Sequence, residues 1–121
     1  MGKTTILSVS FDHGRLDYRN EILRREGYEV LSSSEISHAL GLVDGADLMI
    51  IGDSIPDKDK ETLISGMKKK KTIPYLILLG TYSSGLRADA TVHVLDGPVV
   101  LLRELRHMLK KTKATEVPGA K

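Results

Sequence analysis

The sequence predicts an α/β domain built around a parallel sheet of five strands, and three observations support this prediction. Apolar segments alternate with amphipathic segments through most of the 121 residues. Two of the apolar segments, ADLMIIG (46–52) and IPYLILLG (73–80), are apolar along nearly their whole length, as expected of strands buried on both faces. The amphipathic segments have the length of crossover helices. Because such crossovers are right-handed, the expected result is a doubly wound sheet.

Each predicted strand is a short apolar or β-branched segment bounded by polar residues, glycine or proline. The five strands are TTILSVS (4–10), YEVLSS (28–33), ADLMIIG (46–52), IPYLILLG (73–80) and ATVHVL (90–95). Apolar residues at helical spacing predict four helices, at 14–26, 32–45, 57–71 and 97–111. Ser32 lies three residues before Glu35, and this spacing predicts a capping box at the start of the second helix.

The connection between the fourth and fifth strands is unusually short. It consists of TYSSGLRAD (81–89), which is nine residues rich in Gly, Ser and Tyr. A helix of three turns with its two loops needs more chain than this. The sequence therefore predicts that the fourth crossover helix is shortened or absent.

Composition excludes several kinds of function. The chain has no cysteine, which excludes disulfides, thiolate zinc sites and a cysteine nucleophile. No apolar run approaches the ~18 residues of a membrane helix, and the start lacks a secretion signal, so we expect a cytoplasmic protein without membrane partners. The four histidines have no pair at i, i+4 spacing, so we expect no metal site of that kind.

The net charge is +2, and the last twelve residues hold four lysines and one glutamate. The excess of positive charge therefore lies in the tail and not on a face of the domain, and we expect no nucleic-acid partner. We predict a domain over residues 1–110 and a disordered basic tail over 111–121.

The carboxyl ends of parallel strands are where function gathers in such sheets. A polar pocket is predicted there from four charged residues that follow or flank the first and third strands: Asp12, Arg19, Asp53 and Lys60. Two interpretations remain open. The pocket binds a small anion or the charge of a partner, or the four residues form a solvated salt-bridge network.

Four segments, taken in order, resemble the receiver domain of bacterial two-component response regulators over roughly residues 4–110. They are ILSVSFDHGRLDYRNEILRREGYEV, DLMIIGDSIP, IPYLILLG and ADATVHVLDGPVVLLRELRHML. The resemblance implies a flavodoxin-like fold with strand order 2-1-3-4-5. It also implies that the chain has a role in phosphorelay signal transduction and that it is a signalling module, not an enzyme.

The resemblance assigns five positions to a phosphoryl-transfer site, and each carries an altered residue type. They are Ser10, Phe11, Gly52, Leu79 and Val94. Receivers hold Mg²⁺ with two acidic residues where this chain has Ser10 and Phe11, and they place the phosphoacceptor aspartate where it has Gly52. Leu79 replaces the switch hydroxyl and Val94 the phosphate-pairing lysine. These changes indicate a pseudo-receiver that lacks the phosphoacceptor aspartate.

We therefore expect a stand-alone, phosphorylation-independent module, without a cofactor, that works through a protein partner or self-association. Its predicted interaction surface consists of Gly80, Thr81, Tyr82, Leu86, His93 and Leu95. One alternative is a working phosphorelay receiver in which Asp53 accepts the phosphoryl group. Asp12 would then hold Mg²⁺, and Lys60 or Arg19 would supply the cation. Another alternative is a flavodoxin-like domain that binds a small ligand.

Overall fold

Five parallel strands form one sheet in the order β2-β1-β3-β4-β5. The strands are β1 (Thr5–Val9), β2 (Glu29–Ser33), β3 (Leu48–Ile51), β4 (Tyr75–Leu79) and β5 (Ala90–His93). The structure, a computed structural model, describes residues 3–80 and 85–116. The predicted fold class and strand order are confirmed.

Four α-helices occur in the described residues: α1 (His13–Arg25), α2 (Ile36–Leu42), α3 (Asp57–Lys70) and α4 (Gly97–Glu116). Single 3₁₀ turns follow α2 at Val43–Gly45 and β5 at Val94–Asp96. The charges of α3 complement its dipole, because Asp57 and Asp59 lie in its first turn and three lysines lie in its last.

The predicted capping box of α2 is wrong. Ser32 and Ser33 both remain in β2, where they lie opposite Ser8 and Val9 of β1. The helix therefore begins later than predicted, at Ile36. The Ser33 hydroxyl accepts a hydrogen bond from the Glu35 backbone N–H at 3.1 Å and so turns the chain from β2 toward α2.

The core consists of two apolar clusters, one on each face of the sheet. The first cluster joins the sheet to α2 and α3 and includes Val9, Ile51 and Met67. The second cluster joins the sheet to α1 and α4 and includes Ile50, Val92 and Leu105. Strand residues alternate between the two clusters, as a sheet covered on both faces requires.

The chain that connects β4 to β5 contains no helix within residues 85–89, in agreement with the predicted loss of the fourth crossover helix. Leu86 and Ala88 instead pack directly against the first cluster. Thr91 of β5 is exposed, whereas its neighbour Val92 points to the opposite face and is buried. The first-cluster face of β5 is therefore partly uncovered.

Helix α4 continues to Glu116, so residues 111–116 are helical where the sequence predicts a disordered tail. No Gly or Pro interrupts the helical sequence between Pro98 and Pro118, which explains the extension. Residues 117–121 lie outside the described part of the chain. No helix in residues 3–80 or 85–116 combines the length and apolarity needed to cross a membrane.

Candidate functional site

Gly52 lies at the carboxyl end of β3, beside the end of β1, and is buried. Its backbone N–H donates to the Val9 carbonyl at 2.8 Å. A Cβ atom at this position would lie 3.0 Å from the Val9 oxygen and 3.1 Å from both the Cβ and the Oγ of Ser10. These distances are shorter than normal van der Waals contact, so a side chain at residue 52 would require Val9 or Ser10 to move by a few tenths of an ångström.

The hydroxyl of Ser54 joins the loop after β3 to the loop after β1. Its Oγ accepts hydrogen bonds from the backbone N–H groups of Phe11 at 2.9 Å and Asp12 at 3.2 Å. It also shares a hydrogen bond of 3.0 Å with the hydroxyl of the buried Ser10. The two loops are therefore held together by neutral hydrogen bonds at the place where the resemblance implies a metal ion.

Asp12 and Phe11 differ in their surroundings. The Asp12 carboxylate caps α1 by accepting a hydrogen bond from the Arg15 backbone N–H at 3.1 Å. The Phe11 side chain is exposed at the surface. Asp12 therefore has a local structural role at the start of α1.

Asp53 forms the closest ion pair of the site, with Arg15. Arg15 Nη1 lies 2.6 Å from Asp53 Oδ2, and Arg15 Nε lies 3.6 Å from Asp12 Oδ2. The hydrogen bond and the charge of Asp53 raise the pKa of Arg15. The Asp53 carboxylate lies over Gly80, where a Cβ would approach Asp53 Oδ2 to 2.6 Å. Gly80 therefore provides the space that the Asp53 side chain occupies.

Arg19 lies beneath this ion pair and is almost completely buried, with 7% of its surface exposed. Its Nε donates to Ser8 Oγ at 3.0 Å, and its Nη2 donates to the Val9 carbonyl at 3.1 Å. Burial lowers the pKa of Arg19 to about 10, because removal from water disfavours the charged form, and the negative charge of Asp53 partly opposes this effect.

The structure brings together part of the predicted polar pocket. Asp12 and Asp53 converge on Arg15, and Arg19 lies below them. Lys60 is buried, and its Nζ lies 3.4 Å from Asp57 Oδ1 within α3. Arg15 was missed as a candidate. Its position three residues after Asp12, in the first turn of a helix that follows β1, was the available signal.

The remaining candidate positions lie at the ends of β4 and β5. Leu79 is half-buried against the first cluster, and Val94 is half-buried against the second. Leu95 is 86% exposed, and its backbone N–H donates to Nδ1 of His93 at 3.2 Å. Leu86 packs inward, as described above. Thr81 and Tyr82 lie outside the described residues.

The described residues contain no group of three or more His, Asp or Glu side chains that could hold a metal ion. The two carboxylates nearest to the implied metal site, those of Asp12 and Asp53, already contact Arg15. The donor set present therefore does not fit an oxygen-rich Mg²⁺ site.

Replacing Asp53 with Asn is expected to lower the free energy of unfolding by about 1–3 kcal/mol, because the half-buried carboxylate offsets both Arg15 and the buried Arg19. Replacing Arg15 with Met should cost at most ~1 kcal/mol, since the Arg15 side chain is 59% exposed. Urea denaturation of the two variants measures the difference. Equal losses would contradict the coupling of Asp53 to Arg19.

Comparison with solved structures identifies receiver domains as structural neighbours of this chain. A CheY-like response regulator receiver domain protein from Methanospirillum hungatei JF-1 is 24% identical, with a TM-score of 0.81 over 94% of this chain and 99% of that chain. A two-component response regulator from Clostridium difficile is 16% identical, with a TM-score of 0.78 over 91% and 98%. A response regulator receiver domain protein from Clostridium thermocellum is 17% identical, with a TM-score of 0.78 over 93% and 98%.

No protein-family model and no curated protein matches the chain. At these identities the similarity establishes the fold.

Proposed function

We propose that this chain is a receiver-like signalling module of the pseudo-receiver type, which is not phosphorylated and acts through contacts with other proteins. The observation that carries the proposal is the packing around Gly52. A Cβ at residue 52 would crowd the Val9 carbonyl and the Ser10 side chain, which would have to move to admit an acceptor side chain. An aspartyl phosphate requires a carboxylate in that space, together with room for the phosphoryl group.

The surroundings of the adjacent carboxylate support the same proposal. Phosphoryl transfer to an aspartate needs an oxygen-rich Mg²⁺ site and a cation that offsets the charge of the phosphoryl group. Asp53 lies against Gly80 and is held by Arg15. The resemblance assigns the position of the phosphate-pairing lysine to Val94, whose side chain is apolar. The half-buried Asp53 carboxylate is therefore engaged as a structural ion-pair partner.

Action through protein contacts is supported by the surface beside β5. This strand is at the edge of the sheet, and its first-cluster face is partly uncovered, with Thr91 exposed. The adjacent Leu95 presents an exposed apolar side chain. Apolar groups next to an open strand edge are typical of surfaces that receive a partner. The described part of the β4–β5 connection, residues 85–89, contains no helix that would cover this region.

The competing function is a working phosphorelay receiver with a displaced acceptor at Asp53. One observation favours it, because Arg15 already supplies a cation 2.6 Å from the carboxylate. The same ion pair argues against it, since Arg15 would have to release Asp53 Oδ2 before this oxygen could attack a phosphoryl donor.

Incubation of the full chain with acetyl phosphate and Mg²⁺ tests the proposal. We expect no stable phosphoryl adduct by intact-mass spectrometry, because the acceptor position carries a glycine and the two carboxylates nearest to it are held by Arg15. A receiver domain that is known to be phosphorylated serves as the positive control in the same reaction.

An adduct that is lost in the Asp53→Asn variant but kept in an Asp17→Asn variant would overturn the proposal and establish Asp53 as the acceptor. Asp17 is an exposed residue of α1 and serves as the matched control. An adduct that persists in both variants would likewise contradict the proposal and would locate the acceptor elsewhere.

A further inference from the structure

A cavity of about 340 Å³ lies between α1, the start of α4 and the carboxyl ends of β4 and β5. Its wall is mainly apolar and is formed by Ile22, Leu78, Val92, Val94, Pro98 and Leu101. This volume is at the lower end of the range for small-molecule sites, and a mainly apolar wall with a few polar groups is typical of them.

The polar groups of the cavity include two guanidinium groups, those of Arg15 and Arg19, and the carboxylate of Asp53. Arg15 is in contact with two carboxylates, since its Nη1 lies 2.6 Å from Asp53 Oδ2 and its Nε lies 3.6 Å from Asp12 Oδ2. The two arginines and the two aspartates therefore carry no net charge together. Arg19 forms no ion pair with a carboxylate of the described residues, so it is the guanidinium of the cavity that an anionic group could contact.

Arg19 has hydrogen-bonding capacity that the described residues leave unused. Its Nε and Nη2 donate to Ser8 and Val9, and within residues 3–80 and 85–116 its Nη1 has no hydrogen-bond partner. Nη1 is not among the buried side-chain atoms of the described residues that lack a hydrogen-bond partner, so it keeps contact with solvent and can donate to a bound ligand.

We propose that this cavity binds a small amphipathic carboxylate, with its apolar body between α1 and α4 and its carboxylate on the Nη1 side of Arg19. The apolar wall accounts for the body, and the unpaired Nη1 of Arg19 accounts for the head group. The entrance lies beside two exposed side chains, Tyr18 and Leu95, which both belong to the lining.

Titration of the full chain with phenylacetate, followed by two-dimensional amide NMR, tests the proposal. We expect shifts to be concentrated at Ile22, Val92 and Leu101. The neutral phenylacetamide should bind at least about tenfold more weakly, because it lacks the charge-assisted hydrogen bond. Acetate alone should be weaker by a similar factor, because it lacks the apolar body.

Two variants test the two parts of the site. Arg19→Met should weaken phenylacetate binding by about tenfold or more, whereas Arg24→Met, an exposed position on the same helix, should leave it unchanged. Ile22→Trp should fill the cavity and abolish binding while Arg19 remains, so the test stands even if Arg19→Met fails to fold.

Several results would overturn the proposal. They are equal affinities for phenylacetate and phenylacetamide, equal affinities for phenylacetate and acetate, shifts located away from the cavity, and no binding at millimolar concentration. Binding that survives Ile22→Trp would also overturn it. If sedimentation showed that a second copy covers the α1–α4 face and excludes phenylacetate, the cavity would be a protein interface and the proposal would be wrong.

Discussion

Replacing Gly52 with Asp is expected to lower the free energy of unfolding by about 2–4 kcal/mol and to leave the chain without an acceptor activity. The new Cβ would meet the Val9 carbonyl at 3.0 Å and the Ser10 side chain at 3.1 Å. The new carboxylate would also have to enter a buried position. The substitution that restores the residue type of a receiver therefore conflicts with the packing of this chain.

The neighbours of Gly52 have little freedom to move away. The Val9 carbonyl accepts hydrogen bonds from both Gly52 and Arg19. The Ser10 hydroxyl bonds to Ser54 and to the backbone N–H of Asp12. Displacement of either group breaks hydrogen bonds that hold two loops together, so relaxation is costly.

Urea denaturation measures the loss, and Gly52→Ala separates the steric part from the charge, with an expected cost of about 1–3 kcal/mol. Gly41→Ala is the matched control. Gly41 lies in α2, and a Cβ added to it would meet no neighbouring group within 4 Å, so the change should be neutral or stabilise by up to ~1 kcal/mol.

Two outcomes would contradict this account of the site. One is a Gly52→Asp variant as stable as the wild type, which would mean that Val9 and Ser10 move at little cost to admit the new side chain. The other is a stable phosphoryl adduct on the Gly52→Asp variant after incubation with acetyl phosphate and Mg²⁺. That result would mean that residue 52 alone accounts for the absence of phosphorylation, since Ser10 and Val94 would then be compatible with phosphoryl transfer.

The fold was predictable because each level of the sequence pointed to the same architecture. The buried strands around Ile50 and Ile77 are nearly free of polar residues, and the helices between them repeat apolar residues at helical spacing. The length of segment 81–89 alone predicted the loss of the fourth crossover helix, and its described residues, 85–89, contain no helix. The ends of the helices and strands were harder to predict. Ser32, for example, pairs with β1 as part of β2, although its spacing to Glu35 predicted a helix cap.

The site was predictable only in part, because its contacts depend on how two loops face each other. Asp53 and Arg15 are 38 residues apart, and Ser54 reaches Phe11 across 43. Neither pairing has a local sequence signature. The burial of Arg19 was also unpredictable, since arginine on a helix is usually at the surface. Gly52 was assigned through the resemblance alone, which places the acceptor aspartate of receivers at this position.

Replacing Leu105 with Ala is expected to lower the free energy of unfolding by about 2–5 kcal/mol. Leu105 has no exposed surface and joins α4 to the second cluster, which also holds Ile50, Leu76 and Val92. The truncation removes apolar contacts with the central strands and leaves a void, because residues held in the sheet have limited freedom to fill it.

The loss of unfolding free energy in Leu105→Ala also tests the cavity, because Leu101, one turn earlier on the same side of α4, forms part of the cavity wall. Val99→Ala on the same helix is the control, and its effect should stay within about 0.5 kcal/mol, since Val99 is 73% exposed. Thermal and urea denaturation of both variants measure the difference. A Leu105→Ala cost below ~1 kcal/mol would mean that α4 is not docked on the second cluster as described. The apolar wall between α1 and α4 would then not be formed as described, and the proposal of a ligand site there would be wrong.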